Sequence, residues 1–192
     1  MSFVKMDSEE HFCNIILGRL YFLDLPNRYE NIPKAHRDTF EWVFEGRSLQ
    51  QDSVEWDGFA DWLSATNDRN IYWATGKPGS GKSTLMKFMF SHKKTGVNLQ
   101  AWSEGLPLVK AGFFFWNSGT IMQMSRVGLL QSILHTTLKS DKTTLLRLFN
   151  HRWQQYTGFG GGRQPFEWPE LRCIISQMKR SLTSYTNIQA CI

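Results

Sequence analysis

The sequence predicts an α/β protein: a parallel sheet flanked by helices, incomplete on its C-terminal side, behind an N-terminal helical extension. Three observations predict it. "NIYWAT", residues 70–75, is a short apolar run between polar residues and a glycine-rich turn, the pattern of a buried parallel strand. "PLVKAGFFFW", residues 107–116, is a second such run. Apolar residues at helical spacing recur before, between and after the two. On this reading residues 1–50 form the extension and residues 51–192 a partial domain built on the sheet.

The elements follow in order. Phe12, Ile15, Ile16, Leu20 and Leu23 recur at helical spacing, so "EHFCNIILGRLYFLDL" predicts an amphipathic helix ending before Pro26. "RYENIPKAHRDTFEWVF", residues 28–44, predicts a short helix from about Lys34 that runs into Phe40, Trp42 and Phe44. "SLQQDSVEWD" reads as a polar linker, and "FADWLSA" as a turn or two of helix with Phe59, Trp62 and Leu63 on one face. After the first strand and its glycine turn, "KSTLMKFMFSH" is helical. Beyond the second strand, Leu130, Ile133, Leu134 and Leu138 predict a helix opening near Ser125, and Leu145, Leu146, Phe149 and Trp153 another. "GFGGGRQPF", residues 158–166, is a loop. "WPELRCIISQMKRSL" is a helix with Pro169 in its first turn and Leu171, Ile174, Ile175, Met178 and Leu182 on one face. "TNIQACI" reads as the first half of a further strand.

Composition sets the class. With 192 residues, 41% hydrophobic and 20% charged, the chain is long enough to bury a core of its own, and fourteen Phe and eight Trp argue against disorder. Cys13, Cys173 and Cys191 show no metal-ligand spacing, which predicts no disulfide or zinc framework and a reducing, cytoplasmic setting. The start, "MSFVKMDSEEHF", lacks a basic region followed by a long apolar run, so no secretory signal is predicted, and no window is apolar enough for a membrane span. Residues 1–84 hold 9 Lys/Arg and 13 Asp/Glu, whereas residues 85–192 hold 13 and 4. The basic residues of the second half are scattered singly along helices rather than clustered, which sets nucleic acid aside as a partner.

The chemistry lies in "GKPGSGKST". Gly76, Gly81, Lys82 and Ser83 match the pattern G-x-x-x-x-G-K-[ST] of a phosphate-binding loop, and Lys77, Pro78, Gly79, Ser80 and Thr84 complete the stretch. Glycines at 76, 79 and 81 permit positive φ and let the backbone approach an anion without a Cβ in the way. Backbone N–H groups from about Gly79 to Thr84 would then converge on phosphate oxygens at a helix N-terminus. Lys82 would reach the β and γ phosphates of ATP or GTP, and the Ser83 hydroxyl would ligand Mg²⁺.

Hydrolysis needs more than this. In such enzymes an Asp at the end of an apolar strand holds the Mg²⁺ shell. After Thr84 the acids are Glu104, Asp141, Glu167 and Glu170, and none of them ends an apolar strand. The expectation is therefore a sequence that stops before the strand bearing these acids, of which "IQACI" reads as the opening. Catalytic residues stay unassigned.

Three blocks carry a family resemblance: "RYENIPKAHRDTFEWVF", "FADWLSATNDRNIYWATGKPGSGKSTLMKF" and "AGFFFWNSGTIMQMSRVGLLQSILHTTL". Together they resemble the nucleoside-triphosphatase domain of fungal NACHT proteins, members of the STAND class of signalling P-loop ATPases, with a nephrocystin-type N-terminal domain. The resemblance implies a P-loop fold, nucleotide binding and protein partners or self-association.

Single features read more plainly beside it. "FFFW", 113–116, is core rather than a base-stacking surface. His36 and Arg37 are helix-packing or capping residues rather than an adenine contact, and the "GFGGGR" loop is a connector. Arg126 and Arg163, candidate phosphate sensors, read as solvated surface residues. The function expected is a nucleoside-triphosphate binding module, ATP before GTP, without efficient hydrolysis. A non-catalytic interaction fragment or degenerate paralogue is the alternative, and a small P-loop kinase stands behind both.

Overall fold

The computed structural model describes residues 2–36, 39–45, 58–64, 71–182 and 188–191. These residues are mostly helical. In chain order they form α1 (Ser2–Leu20), α2 (Asn27–Asn31), a 3₁₀ turn (Glu41–Phe44), α3 (Phe59–Ser64), α4 (Lys82–Ser91), α5 (Lys93–Trp102), β1 (Val109–Gly112), α6 (Ile121–Met124), α7 (Arg126–Leu138), α8 (Lys142–Leu148), α9 (Asn150–Phe159), α10 (Trp168–Leu182) and β2 (Ile188–Cys191).

The expected parallel sheet flanked by helices is not what these residues build. Among the described residues the strand pairing is one short parallel ladder, with Val109 opposite Ile188 and Gly112 opposite Cys191. Of residues 70–75, read as a strand from their apolar character, Asn70 lies outside the described residues and 71–75 form no strand. Tyr72 turns onto α3, its ring 5.2 Å from Phe59 and 5.5 Å from Trp62, while Ile71 and Trp73 are 77% and 80% exposed. The second run keeps its strand only over Val109–Gly112. Phe113 and Phe114 beyond it are buried by packing against rings rather than by ladder neighbours, Phe114 lying 5.5 Å from Tyr29 and 6.4 Å from Phe90. For the second run, burial against rings satisfies its apolar character as well as a sheet does, whereas the first run stays largely exposed.

The helices explain themselves locally. Ser125 caps α7 by accepting from the Gly128 N–H at 3.0 Å, and Asp141 caps α8 by accepting from the Thr144 N–H at 2.9 Å. The sharp corner between α6 and α7 requires Gly128, because a Cβ there would lie 2.0 Å from the Met122 carbonyl oxygen. Three expected helices differ. The first ends at Leu20 rather than just before Pro26, and Leu23 is 84% exposed. The one from about Lys34 is replaced by α2 and the 3₁₀ turn, with Ile32 extended (ψ 125°) ahead of Pro33, as the residue before a proline prefers. The one spanning Leu145 to Trp153 is broken at Phe149 into α8 and α9.

Two apolar clusters result. The larger joins Phe12, Cys13, Ile16 and Leu20 of α1 to Leu130, Ile133, Leu134 and Leu138 of α7, Leu145 and Leu148 of α8, and Leu171, Ile174 and Met178 of α10, with Ala111 of β1. Helix α1 thus packs directly on α7 and α8. The smaller cluster gathers Val43, Phe44, Phe59, Leu63, Met89 and Leu99 around α4, with Phe40, Trp62, Tyr72 and Phe88 against it. No helix of the described residues is long and apolar enough to cross a membrane.

Candidate phosphate-binding loop

The stretch Gly76–Thr84 leads from the extended segment through a turn at Pro78–Gly81 into α4. Gly79 and Gly81 adopt left-handed conformations with φ of 77° and 80°. A residue with a Cβ would be strained at either. Gly81 occupies the N-cap position, and no side chain caps α4 there. The first-turn N–H groups of a ten-residue helix are thereby left to the loop's concave side, where the positive end of the helix dipole favours an anion. Gly76 to Ser80 are exposed, Ser83 is exposed, and Thr84 is half-buried.

Lys82 is drawn back across this loop. Its Nζ donates to the Gly76 and Lys77 carbonyl oxygens, each at 2.8 Å. The ammonium is thus held at the mouth of the turn rather than extended into solvent. These residues fit a phosphate chain: a positive-φ turn, an uncapped helix end, a lysine at the rim and an exposed Ser83 hydroxyl suited to Mg²⁺.

What positions α4 was not foreseen. Lys87, only 9% exposed, reaches away from the loop and donates to the carbonyl oxygens of Tyr29 at 2.6 Å, Ile32 at 2.7 Å and Glu30 at 3.4 Å. Its ammonium also sits 4.7 Å from the centre of the Tyr29 ring. At the other end of the helix, Lys110 of β1 donates to the Phe90 carbonyl oxygen at 2.6 Å, and Thr95 of α5 donates to that of Met89 at 2.6 Å. The only signal in the sequence is a lysine inside the apolar run "LMKFMF", where a charge survives burial only if its donors are satisfied.

The other candidates lie elsewhere. Arg126 stacks over Trp168 at 4.8 Å, and Arg163 lies 5.9 Å from the centre of the Tyr156 ring, so both engage rings of the helical body. His36 is exposed, and Arg37 lies outside the described residues. Of the acids, Asp141 caps α8 and Glu104 sits in an exposed left-handed turn with φ of 49°. Glu167 is exposed ahead of α10. Glu170 grips Arg152, whose Nε and Nη2 donate to its two oxygens at 2.5 and 2.6 Å. Arg152 is 2% exposed and also donates to the carbonyl oxygens of Gly162, Gln164 and Pro165, which makes it the organiser of the 158–166 connector. Sequence reading missed it because its partners follow it by ten or more positions.

The family model described as Nephrocystin 3, N-terminal, matches residues 38–190. The chain belongs to this family. Comparison with curated proteins and with solved structures gives no match. The nephrocystin-type region contains the loop and α4, while the carbonyl groups that hold Lys87 come from residues ahead of it.

Proposed function

We propose that this nephrocystin-type chain binds the phosphates of a nucleoside triphosphate, ATP or GTP, with Mg²⁺ at Gly76–Thr84, and acts as an interaction module without efficient turnover. The observation that carries the reading is the pair of left-handed glycines leading into an uncapped helix N-terminus, with Lys82 poised over the turn. Backbone N–H groups would hold the phosphate oxygens, Lys82 would exchange its two carbonyl acceptors for phosphate, and Ser83 would face the metal. Efficient hydrolysis is left out because Asp141 and Glu170 are committed to structural partners, and neither Glu104 nor Glu167 stands at a strand end. The three sequence blocks support placing the chain among fungal NACHT/STAND-type signalling proteins of the cytoplasm, which work through protein partners or self-association.

The test is equilibrium binding of a fluorescent ATP analogue with Mg²⁺ to the full chain. Lys82→Ala removes a charge-assisted contact and is expected to weaken binding about ten- to hundredfold. Unchanged affinity in that variant would sink the reading. A second reading, an interaction module that takes no nucleotide, is favoured by Ile71 and Trp73, which stand exposed beside the loop. It predicts no binding by the wild type.

A further inference from the structure

Lys87 does two things that an ordinary helix lysine does not. It is buried on the inner face of the helix that the loop leads into, and its hydrogen-bond acceptors are backbone carbonyl oxygens of one short segment, 29–32, two of them close and the third at 3.4 Å. An ammonium has three N–H donors, and here three carbonyl groups meet them, two at 2.7 Å or less. The same ammonium lies over the Tyr29 ring, and Tyr29 packs on Phe90 and Phe114, which flank the C-terminal end of α4 and the exit of β1. Segment 29–32 closes α2 and lies ahead of the family-matched region, which begins at residue 38.

We infer that Lys87 is a positioning residue that couples phosphate binding at Gly76–Thr84 to segment 27–32, so that each site biases the other. The inference rests on the nucleotide reading above. Helix α4 is a single rigid element with Lys82 at its start and Lys87 little more than a turn further on. Binding at its N-terminus fixes the axis of the helix, and the orientation of that axis is held at Lys87 by three bonds to segment 29–32. Ordering one end therefore lowers the cost of ordering the other, and the effect is reciprocal because phosphate binding and the ordering of segment 27–32 share one coupling free energy. The 27–32 segment thereby becomes a lever: a partner that seizes it would alter nucleotide affinity without touching the loop.

The experiment measures fluorescent ATP-analogue affinity for the full-length wild type, Lys87→Met and Lys87→Arg, with amide hydrogen exchange of residues 27–33 in the presence and absence of Mg²⁺ and ATP. Lys87→Met keeps the length and apolar stem of the side chain and removes the donors. It is expected to bind about three- to thirtyfold more weakly, the range of such indirect couplings, and Lys87→Arg is expected to recover most of that loss. In the wild type, nucleotide is expected to slow exchange over 27–33, and this protection disappears in Lys87→Met. A role confined to folding would leave the wild-type exchange of 27–33 indifferent to nucleotide, and that result overturns the inference even if Lys87→Met misfolds. Wild-type binding that Lys87→Met leaves intact overturns the coupling alone. Absence of binding by the wild type overturns the nucleotide reading and the coupling with it.

Discussion

Around α7 the interior is mostly aliphatic and continuous, whereas around α4 rings and polar contacts have the larger share among the described residues. Among the described residues the first cluster holds sixteen buried residues and the second six, so of these residues the helical body has the larger share of apolar burial. Leu134, Leu138, Leu145 and Leu171 are fully enclosed in the body. Near α4 the packing consists of rings: Phe44 stacks on His92 at 4.5 Å, Phe59 on Trp62 at 5.8 Å, and Phe40 lies 5.8 Å from Phe88. It is also tied by lysine and threonine donors reaching backbone carbonyl oxygens, and by Glu41 paired with His92 and Lys94. The lesson is a division of labour. A close-packed body sets global stability, while the loop-bearing region, with less burial, is free to open locally at lower cost.

The sharpest way to break this comparison is a matched pair of truncations. Leu134→Ala empties the centre of the body and is expected to cost about 3–4 kcal/mol of global stability. Met89→Ala, an equally enclosed position beside the loop, is expected to cost about 2 kcal/mol and to show first as faster amide exchange in α4 and α5. Urea denaturation with exchange mass spectrometry reads both, and equal global losses would remove the distinction.

Next in size is Arg152→Ala, expected to cost about 3 kcal/mol because it strips the clasp from three carbonyl groups and from Glu170. Glu170 retains some contact with water, which holds the loss toward the lower end. A smaller value would mean that the body is held by its leucines alone. Ser125→Ala removes the α7 cap and is expected to cost about 1 kcal/mol in the same urea titration, with no change in nucleotide affinity.

The smallest effect concerns pH. Burial, and then Lys139, hold the His135 imidazole below its ordinary titration range. The unfolded chain therefore takes up this proton more readily than the folded one. The body is expected to lose stability as pH falls from about 6.5 toward the folded value, where the loss levels off. His135→Gln should flatten that slope in thermal melts between pH 7.5 and 5, and an unchanged slope would place the acid sensitivity elsewhere.

How much of this was legible follows from the range of each interaction. The α7 face was read residue by residue, Leu130, Ile133, Leu134 and Leu138 all being buried, and so was its start near Ser125, because periodicity is local. The turn at Gly79 and Gly81 was legible for the same reason: its residue types are demanded by its own backbone. The sheet was misread, since the apolar character of "NIYWAT" specifies no pairing partner, and among its described residues Ile71, Trp73 and Thr75 are exposed. Lys87 escaped because its acceptors are backbone oxygens, which carry no residue-type signature, and Arg152 because three of its acceptors are backbone oxygens and its carboxylate partner, Glu170, lies eighteen positions on.

The ladder between β1 and β2 carries a kinetic consequence. Val109 finds its partner only at Ile188, after α6 through α10 have intervened. Closing so long a loop costs entropy before any bond repays it, so this pairing is expected among the last events of folding. During synthesis the edge of β1 therefore waits, unmatched, for the whole time taken to make the helical body. In that interval the aromatic run beginning at Phe113 is the part of the nascent chain with most to gain from a chaperone.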